Sequence, residues 1–197
     1  MEKERRPVLC VIAGPNGSGK TSTTEKLLAN EWAEDSFYIN PDNIALEQFG
    51  DWNSQEAVLK AAKEATHLRY QCLENKKSFV FETVFSSQEK LDFLKLAKEA
   101  GFFIRFFYVC TNDPKINILR ITQRFLNGGH EVPISKIISR YYKSLALAAE
   151  AISIVDRAYV YDNSRNNELP LLLYRTVNGK LFKKYLADIP IWAKSLI

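Results

Sequence analysis

Runs of consecutive apolar residues alternate along the chain with segments in which apolar residues recur at helical spacing. Five apolar runs are present, at residues 7–13, 37–39, 78–84, 102–110 and 157–161. Continuous runs of this length are typical of strands that are covered on both faces of a parallel sheet. Leu169 to Val177 is a further extended segment. Strands that alternate with helices predict an α/β fold with a mostly parallel sheet of about five strands flanked by helices.

Capping residues mark several of the predicted helices. Asn53, followed three residues later by Glu56, is a capping pair that predicts a helix from 53 to 75. Asp113-Pro114 predicts a helix that ends at Gly128-Gly129, because an N-cap followed by proline favours a helix start and glycine favours its end. Pro133 begins the next helix.

A glycine-rich loop joins the first predicted strand to a helix that we expect from Ser18 to Asn30. The motif G-x-x-x-x-G-K-[ST] is matched in full by Gly14, Pro15, Asn16, Gly17, Ser18, Gly19, Lys20 and Thr21, with Ser22 following. Glycines let backbone N–H groups turn inward around a phosphate, and the helix start adds its positive end. Lys20 is expected to contact the β- and γ-phosphates, and the Thr21 hydroxyl to hold Mg²⁺. The sequence therefore predicts a nucleotide-binding P-loop fold.

Acidic and polar residues follow three of the predicted strands, at the edge where parallel sheets bind their ligands. Asp42 comes after the second strand, Glu82-Thr83 closes the third, and Asp162-Asn163 follows the fifth, beside the expected nucleotide base. A carboxylate beside a phosphate loop can accept a proton from an acceptor hydroxyl. Two structural alternatives stay open: Asp42 can be a helix N-cap, and Glu82 can pair with Lys20 or with an arginine.

Two cationic helix faces, joined by the Gly128-Gly129-His130 loop, predict a small lid over residues 113–147. The first face holds Asn117, Arg120, Arg124 and Asn127, and the second holds Lys136, Arg140 and Lys143. Guanidinium groups on a closing lid would neutralise the charge of a phosphoryl group in transfer. A solvated charged face is the structural alternative for any one of these residues.

Composition narrows the class of protein. The chain has 197 residues, 46% of them hydrophobic and 25% charged, which suits one globular domain over residues 1–197. A formal net charge of +4 is too small to predict a nucleic-acid partner. Three cysteines within apolar runs favour a reducing compartment, and no segment approaches the ~20 apolar residues of a membrane span. We expect a cytoplasmic protein without a membrane or nucleic-acid partner.

Taken together, the motifs over residues 7–165 resemble the zeta-toxin-type kinases. The resemblance is carried by the phosphate loop and by Ile39-Asn40-Pro41-Asp42, Phe81-Glu82-Thr83, Gln123-Arg124-Phe125, Gly128-Gly129-His130-Glu131-Val132-Pro133, Arg140-Tyr141-Tyr142 and Tyr161-Asp162-Asn163-Ser164. It implies an adenylate-kinase-like P-loop fold and transfer of the ATP γ-phosphate to a sugar hydroxyl. The implied acceptor is a nucleotide sugar such as UDP-N-acetylglucosamine, and the implied partner is a small antitoxin protein.

The same resemblance implies roles for individual residues. Asp42 is the general base, Lys20 and Thr21 bind ATP and Mg²⁺, and Arg124 and Arg140 stabilise the phosphoryl group in transfer. Glu82 and Thr83 face the acceptor sugar. His130 lies where the toxins carry a second lid arginine, and we assign it to the acceptor.

Other functions remain open from the sequence. A nucleotide, nucleoside or polynucleotide kinase would use the same phosphate loop, although the small net charge disfavours a polynucleotide acceptor. A regulatory module that binds ATP without turnover would need the loop but neither the base nor the lid. The C-terminal segment, Ile189 to Ile197, is apolar enough to pack on this chain's own sheet or on another chain.

Overall fold

The computed structural model describes residues 6–28, 36–50, 54–128 and 132–197, with side chains described except at 25–28. Seven strands and seven helices are formed by these residues. The strands are β1 (Val8–Ala13), β2 (Phe37–Ile39), β3 (Phe79–Thr83), β4 (Phe103–Cys110), β5 (Arg157–Asp162), β6 (Leu171–Val177) and β7 (Lys180–Lys184). The helices are α1 (Lys20–Leu28), α2 (Pro41–Phe49), α3 (Gln55–Glu74), α4 (Gln88–Glu99), α5 (Pro114–Leu126), α6 (Ile134–Ile154) and α7 (Ile191–Lys194).

All seven strands belong to one mixed sheet in the order β2-β3-β1-β4-β5-β6-β7. The first five strands are parallel, whereas β6 and β7 are antiparallel to their neighbours. The prediction of a parallel core of five strands flanked by helices is thus confirmed, and a C-terminal hairpin extends it to seven. All five residues of β7 are exposed, which is why no buried pattern marked this strand in the sequence.

The core lies mainly on one face of the sheet, and side-chain alternation along β1 shows why. Leu9, Val11 and Ala13 join the large apolar cluster, whereas Cys10 and Ile12 join a smaller one on the opposite face. Because both sets are almost fully buried, β1 must be apolar at every position. The central strand β1 is therefore buried on both faces, and the glycine loop follows it at the carboxyl edge of the sheet.

The structure differs from the sequence prediction at two helix starts and in one short additional helix. The helix expected from residue 53 begins at Gln55, and its N-cap is Ser54, whose hydroxyl accepts from the Ala57 N–H; Asn53 lies outside the described residues. The helix expected from Ser18 begins at Lys20 and is described to Leu28. The short helix α2 was implied in the sequence only by the N-cap alternative for Asp42.

The C-terminal segment packs on this chain's own sheet. Trp192 is only 9% exposed, its ring centroid is 6.3 Å from that of Tyr108, and the Tyr174 hydroxyl donates to the Ala193 carbonyl at 2.8 Å. These contacts decide between the two alternatives that the sequence left open. Among the described residues, no helix is long and apolar enough to cross a membrane.

Candidate active site

The glycine loop occupies the junction between β1 and α1, where the strand order places β3 and β4 on either side. The backbone at Gly14 passes so close to β4 that a Cβ there would lie 2.0 Å from the Val109 carbonyl oxygen. Gly19 has a φ of 86°, and a Cβ there would lie 2.2 Å from the Asn163 amide nitrogen. Both positions therefore exclude any side chain, because backbone and neighbour already fill the space.

Two asparagines outside the motif hold the loop in shape. Asn117 of α5 donates to the Asn16 carbonyl at 2.6 Å and also accepts from the Thr111 hydroxyl. Asn163, after β5, donates to the Ser18 carbonyl at 2.8 Å. Both contacts differ from the sequence-based prediction, in which Asn117 lies on a cationic lid face and Asn163 beside the nucleotide base. Their contacts with the loop join residues far apart in the sequence, so no local sequence pattern could predict them.

Lys20 is buried at the start of α1. Its ammonium donates to the carbonyls of Gly14 and Pro15, at 2.8 and 3.0 Å. Burial lowers the pKa of Lys20, the charges of Glu82 and Asp42 raise it, and the charge of Arg124 lowers it again. Asp42, Glu82 and Arg124, which the sequence placed on separate elements, are thus close enough to Lys20 for their charges to shift its pKa.

The Glu82 carboxylate accepts hydrogen bonds from three hydroxyl groups of the site. One carboxylate oxygen accepts from the Thr21 hydroxyl at 3.2 Å, and the other accepts from Thr24 at 3.0 Å and from the Tyr38 hydroxyl at 3.3 Å. Burial raises the pKa of Tyr38, and the negative charge of Glu82 raises it further, so that phenol stays a donor. No ion pair joins Glu82 to Lys20 or to an arginine among the described residues.

Asp42 stands in the first turn of α2, and its carboxylate is exposed. Asn40 is the N-cap of this helix, because its side-chain oxygen accepts from the Asp42 N–H at 2.8 Å. The N-cap hypothesis for Asp42 is therefore wrong. The Asn40 amide also donates to the Tyr38 hydroxyl at 2.9 Å, which ties the start of α2 to Tyr38 and through it to Glu82. The Asp42 carboxylate itself has no hydrogen-bond or ion-pair partner among the residues described.

The Thr21 hydroxyl and the Glu82 carboxylate offer oxygen donors to a cation. Mg²⁺ prefers hard oxygen ligands, and it is usually held by one or two protein groups together with substrate phosphates. The two side chains fit such a site, because they are already within hydrogen-bond distance of each other. The described residues contain no cluster of three or more acidic, histidine or cysteine side chains, so the nucleotide would supply the remaining ligands.

The two predicted lid faces separate into different environments. On α5, Arg120 bonds to Asn166 and to the Arg165 carbonyl, which makes it a brace for the turn after β5. Arg124, one turn further on, is exposed and acts on Lys20 through its charge. On α6, Arg140 donates to the Asn16 side chain at 3.4 Å, which brings the second face to the phosphate loop.

The remaining predicted residues contribute less or lie outside the description. The Thr83 hydroxyl accepts from the Phe85 N–H at 3.1 Å and so shapes the turn after β3. Ser22 is exposed next to Thr21, and Asp162 accepts from the Ser164 N–H and hydroxyl. His130 lies outside the described residues. Thr24, Tyr38 and Asn40 were missed as site residues, since nothing local links them to Glu82 before the chain folds.

Comparison with known proteins places this site in context. A family model, zeta toxin, matches residues 1–171. One curated relative, an uncharacterised protein of Haemophilus influenzae, is 29% identical over 130 residues, which cover 65% of this chain and 88% of the relative.

Similar solved structures include complexes of AvrRxo1-ORF1 with ORF2. The native complex matches at a TM-score of 0.69 and 16% identity over 96% of this chain, and the complex with ATP matches at 0.67 and 15% over 91%. This chain spans only 63% and 61% of those matched chains. A structure of the PezAT toxin–antitoxin system of Streptococcus pneumoniae matches at 0.62 and 15% over 99% of this chain and 84% of that one. At such identities the likeness concerns the fold.

Proposed function

Because the chain belongs to the zeta toxin family of ATP-dependent P-loop kinases, we propose that it transfers the ATP γ-phosphate to a hydroxyl of a small acceptor. The proposed acceptor is a nucleotide sugar of the UDP-N-acetylglucosamine type. The observation that supports this most is the convergence on Lys20 of charges from Asp42, Glu82 and Arg124, which lie on three different elements. A module that only binds ATP would need neither the base, Asp42, nor the lid cation, Arg124.

The nucleotide would be held by the loop from Gly14 to Thr21. Backbone N–H groups of the loop and the α1 N-terminus would face the phosphates, and Lys20 would exchange its contacts with the Gly14 and Pro15 carbonyls for phosphate oxygens. Mg²⁺, when bound at Thr21 and Glu82, would supply positive charge to the phosphate oxygens. Thr24 and Tyr38 hold the Glu82 carboxylate in place for that contact.

Asp42 is the proposed general base, and the hydrogen bonds of Glu82 are the reason. Both Glu82 oxygens already accept from hydroxyl groups, whereas the Asp42 carboxylate is exposed and carries no described partner. Asp42 can therefore accept the proton of the acceptor hydroxyl as the hydroxyl oxygen bonds to the γ-phosphorus and the bond from that phosphorus to the leaving ADP oxygen breaks. The N-cap at Asn40 fixes the turn that carries this carboxylate.

Arg124 and Arg140 are the proposed lid cations. Arg140 already contacts the phosphate loop, and Arg124 acts on Lys20 through space. Guanidinium groups at these places would stabilise the negative charge on the phosphoryl oxygens during transfer. We propose that α5 and the first half of α6 form the lid, and that Thr83 and His130 belong to the acceptor side.

A protein partner is also proposed. The PezAT system and the AvrRxo1-ORF1:-ORF2 complexes each pair two proteins on a related fold. A small antitoxin-like protein is accordingly the proposed partner of this chain. Expression in a bacterium should arrest growth with the wild type and not with Asp42→Asn; equal growth of both would contradict a toxic role.

The acceptor is tested by mass spectrometry of the product. Incubation with ATP, Mg²⁺ and UDP-N-acetylglucosamine should add one phosphoryl group to the sugar nucleotide. Parallel incubations replace the sugar nucleotide with nucleosides or oligonucleotides. If one of these is phosphorylated and the sugar nucleotide is not, the protein belongs to one of the alternative kinase classes.

A further inference from the structure

The second face of the sheet, opposite the main core, stays open to solvent over β4–β7. Helices α2, α3, α4, α6 and α7 each contribute buried side chains to the large apolar cluster on the first face. Among the described residues, the smaller cluster on the second face is formed by strand residues alone. Arg105, Tyr159 and Arg175 remain half-buried on this face. Because sheets of α/β folds are ordinarily covered on both faces, the side chains of this open half are informative.

Like charges lie directly opposite one another across the strands of this open half. Arg105 of β4 is the register partner of Arg157 on β5, and Arg175 of β6 is the register partner of Lys183 on β7. Like charges at directly opposite positions destabilise a sheet. Asp162 is the one acidic residue of these four strands, and its carboxylate accepts hydrogen bonds from the turn that follows β5. The sheet therefore carries positive charge that it does not neutralise itself.

Aromatic rings lie beside the two inner cations. The guanidinium groups of Arg105 and Arg157 are 5.4 and 5.5 Å from the ring centroid of Phe103. Arg105 also donates to the Tyr159 hydroxyl at 3.4 Å, and the Tyr159 ring stacks on that of Phe107 with the centroids 4.7 Å apart. Cation–π contacts of this kind hold guanidinium groups in place without cancelling their charge.

The two outer cations lie beside rings that are more exposed. The Arg175 guanidinium is 4.5 Å from the ring centroid of Phe182, and the Lys183 ammonium is 4.9 Å from that of Tyr185. Phe182 is 61% exposed and Tyr185 41%. The buried Nε of Arg175 has no hydrogen-bond partner within the described part of the chain. Positive charge and accessible aromatic surface are thus combined on the same two strands.

We propose that this surface binds single-stranded nucleic acid. The basic–aromatic face, as we call it, consists of Arg105, Arg157, Arg175, Phe182, Lys183 and Tyr185. Its cations would contact phosphates, and its exposed rings would stack on unpaired bases. Neighbouring strands are ~4.8 Å apart, so the four strands span ~14 Å, which accommodates two or three nucleotides. An acidic protein segment would need the cations but not the exposed rings, so the observations favour nucleic acid.

The basic–aromatic face is separate from the proposed kinase site. Arg105 and Arg157 lie in the first halves of β4 and β5, whereas the glycine loop follows the carboxyl end of β1. The zeta toxin match ends at residue 171, before Arg175 and β7. The net charge of +4 gave no sign of a nucleic-acid partner, because only strand pairing brings these cations together. The inference therefore goes beyond the proposed kinase function and does not depend on it.

Fluorescence anisotropy with labelled single strands of about 12 nucleotides tests the proposal. The ligands are RNA and DNA of one mixed sequence, the corresponding DNA duplex, and a polyglutamate peptide of equal charge. Mg²⁺ and a non-hydrolysable ATP analogue fill the glycine loop throughout. A single strand should bind more tightly than the duplex or the peptide. The logarithm of its binding constant should fall with the logarithm of salt concentration at a slope of about −3, with ~0.7 from each of four phosphate contacts.

The two nucleic acids distinguish the source of the ligand. Tighter binding of the RNA strand would identify RNA, and tighter binding of the DNA strand would identify DNA. Either result supports the proposal.

Two double variants separate charge from stacking. Arg175→Gln/Lys183→Gln should weaken single-strand binding roughly tenfold and reduce the salt slope by about half, because two phosphate contacts are lost. Phe182→Ala/Tyr185→Ala should weaken binding roughly tenfold with the slope unchanged, because these rings contribute base stacking. Both rings are exposed, so this second variant is expected to fold, and thermal melts check that both variants do.

Lys63→Ala/Lys194→Ala is the matched control. It removes two charges from exposed positions on α3 and α7, which pack on the opposite face of the sheet, and it should change neither the affinity nor the slope. Four results would overturn the inference: no binding of either single strand, equal binding of the duplex, equal losses in the control, or tighter binding of polyglutamate, which would point to an acidic protein partner. Affinity for the ATP analogue should be the same in all variants, so failure of this surface is distinguishable from failure of the kinase site.

Discussion

Lys20 carries the main electrostatic conflict of the site at the scale of single residues. Burial favours its neutral form, and the carboxylates of Glu82 and Asp42 favour the charged form. The net effect lowers its pKa below the ordinary 10.5, so the folded protein binds this proton less tightly than the unfolded chain does. The charged lysine therefore costs folding free energy, and phosphate binding would recover that cost.

This conflict predicts a pH dependence of stability. The penalty from Lys20 is fully present below its folded pKa and is gone above 10.5, its ordinary value. The unfolding free energy of the wild type, relative to Lys20→Met, should therefore increase as the pH rises toward 10.5. Denaturant titrations at a series of pH values measure it. For the exposed Lys63→Met control, the difference in unfolding free energy from the wild type should not change with pH. The same result for Lys20→Met would contradict the claim that burial destabilises the charged form of Lys20.

Local chemistry made part of the site predictable. The phosphate loop is contiguous, so its residue types reveal its shape and its ligand directly. Glu82 ends an apolar strand and so stands out as a charge that needs partners. Those partners, Thr21, Thr24 and Tyr38, were not predictable, because they meet only when α1 and β2 pack beside β3.

At the scale of elements, α2 is what positions the proposed base. This helix begins at Pro41 with Asn40 as its N-cap and ends at Phe49, and its C-cap Gly50 has a φ of 66°. Only Ile44 and Ala45 are buried in it, which leaves too weak an apolar pattern to reveal the helix in the sequence. The strands of the parallel core were predictable for the opposite reason: burial on both faces makes nearly every position apolar.

Removal of the α2 N-cap should lower kcat by more than the loss of folding stability accounts for. Asn40→Ala should cost about 1 kcal/mol and lower kcat, because the turn that carries Asp42 loses its anchor and Tyr38 loses a hydrogen-bond partner. Ser54→Ala removes the comparable cap of α3 and should cost a similar amount without changing kcat. Thermal melts and steady-state kinetics on both variants measure this, and equal kcat values would contradict a positioning role for α2.

At the scale of the whole molecule, the segment beyond the family match completes the core. The zeta toxin match ends at residue 171, where β6 begins, yet Leu173, Tyr174, Trp192 and Ala193 are buried in the main apolar cluster. The hairpin and α7 therefore belong to the same folding unit as the kinase core. Among the described residues, the hairpin and α7 form no hydrogen bond to the glycine loop, and their buried side chains lie in the main apolar cluster, so we expect them to contribute to stability rather than to nucleotide binding.

Trp192→Ala should accordingly lower the unfolding free energy by about 3–5 kcal/mol, as large aromatic truncations do in cores. Affinity for the ATP analogue, measured where the variant is folded, should be unchanged. The neighbouring Ile191→Ala is a suitable control, since Ile191 is 86% exposed and should cost little. Similar unfolding midpoints for both variants would mean that α7 does not stabilise the sheet.

The most direct measurement of the central claim is ADP release with ATP and Mg²⁺, with and without UDP-N-acetylglucosamine, in the wild type and in Asp42→Asn. The acceptor should stimulate turnover of the wild type, and the variant should lose about 10²–10⁴-fold of that rate while its ATP affinity is retained. Acceptor-stimulated ADP release that is unchanged in Asp42→Asn would contradict the assignment of Asp42 as the base. ATP binding without stimulation by this acceptor would contradict the sugar-nucleotide specificity.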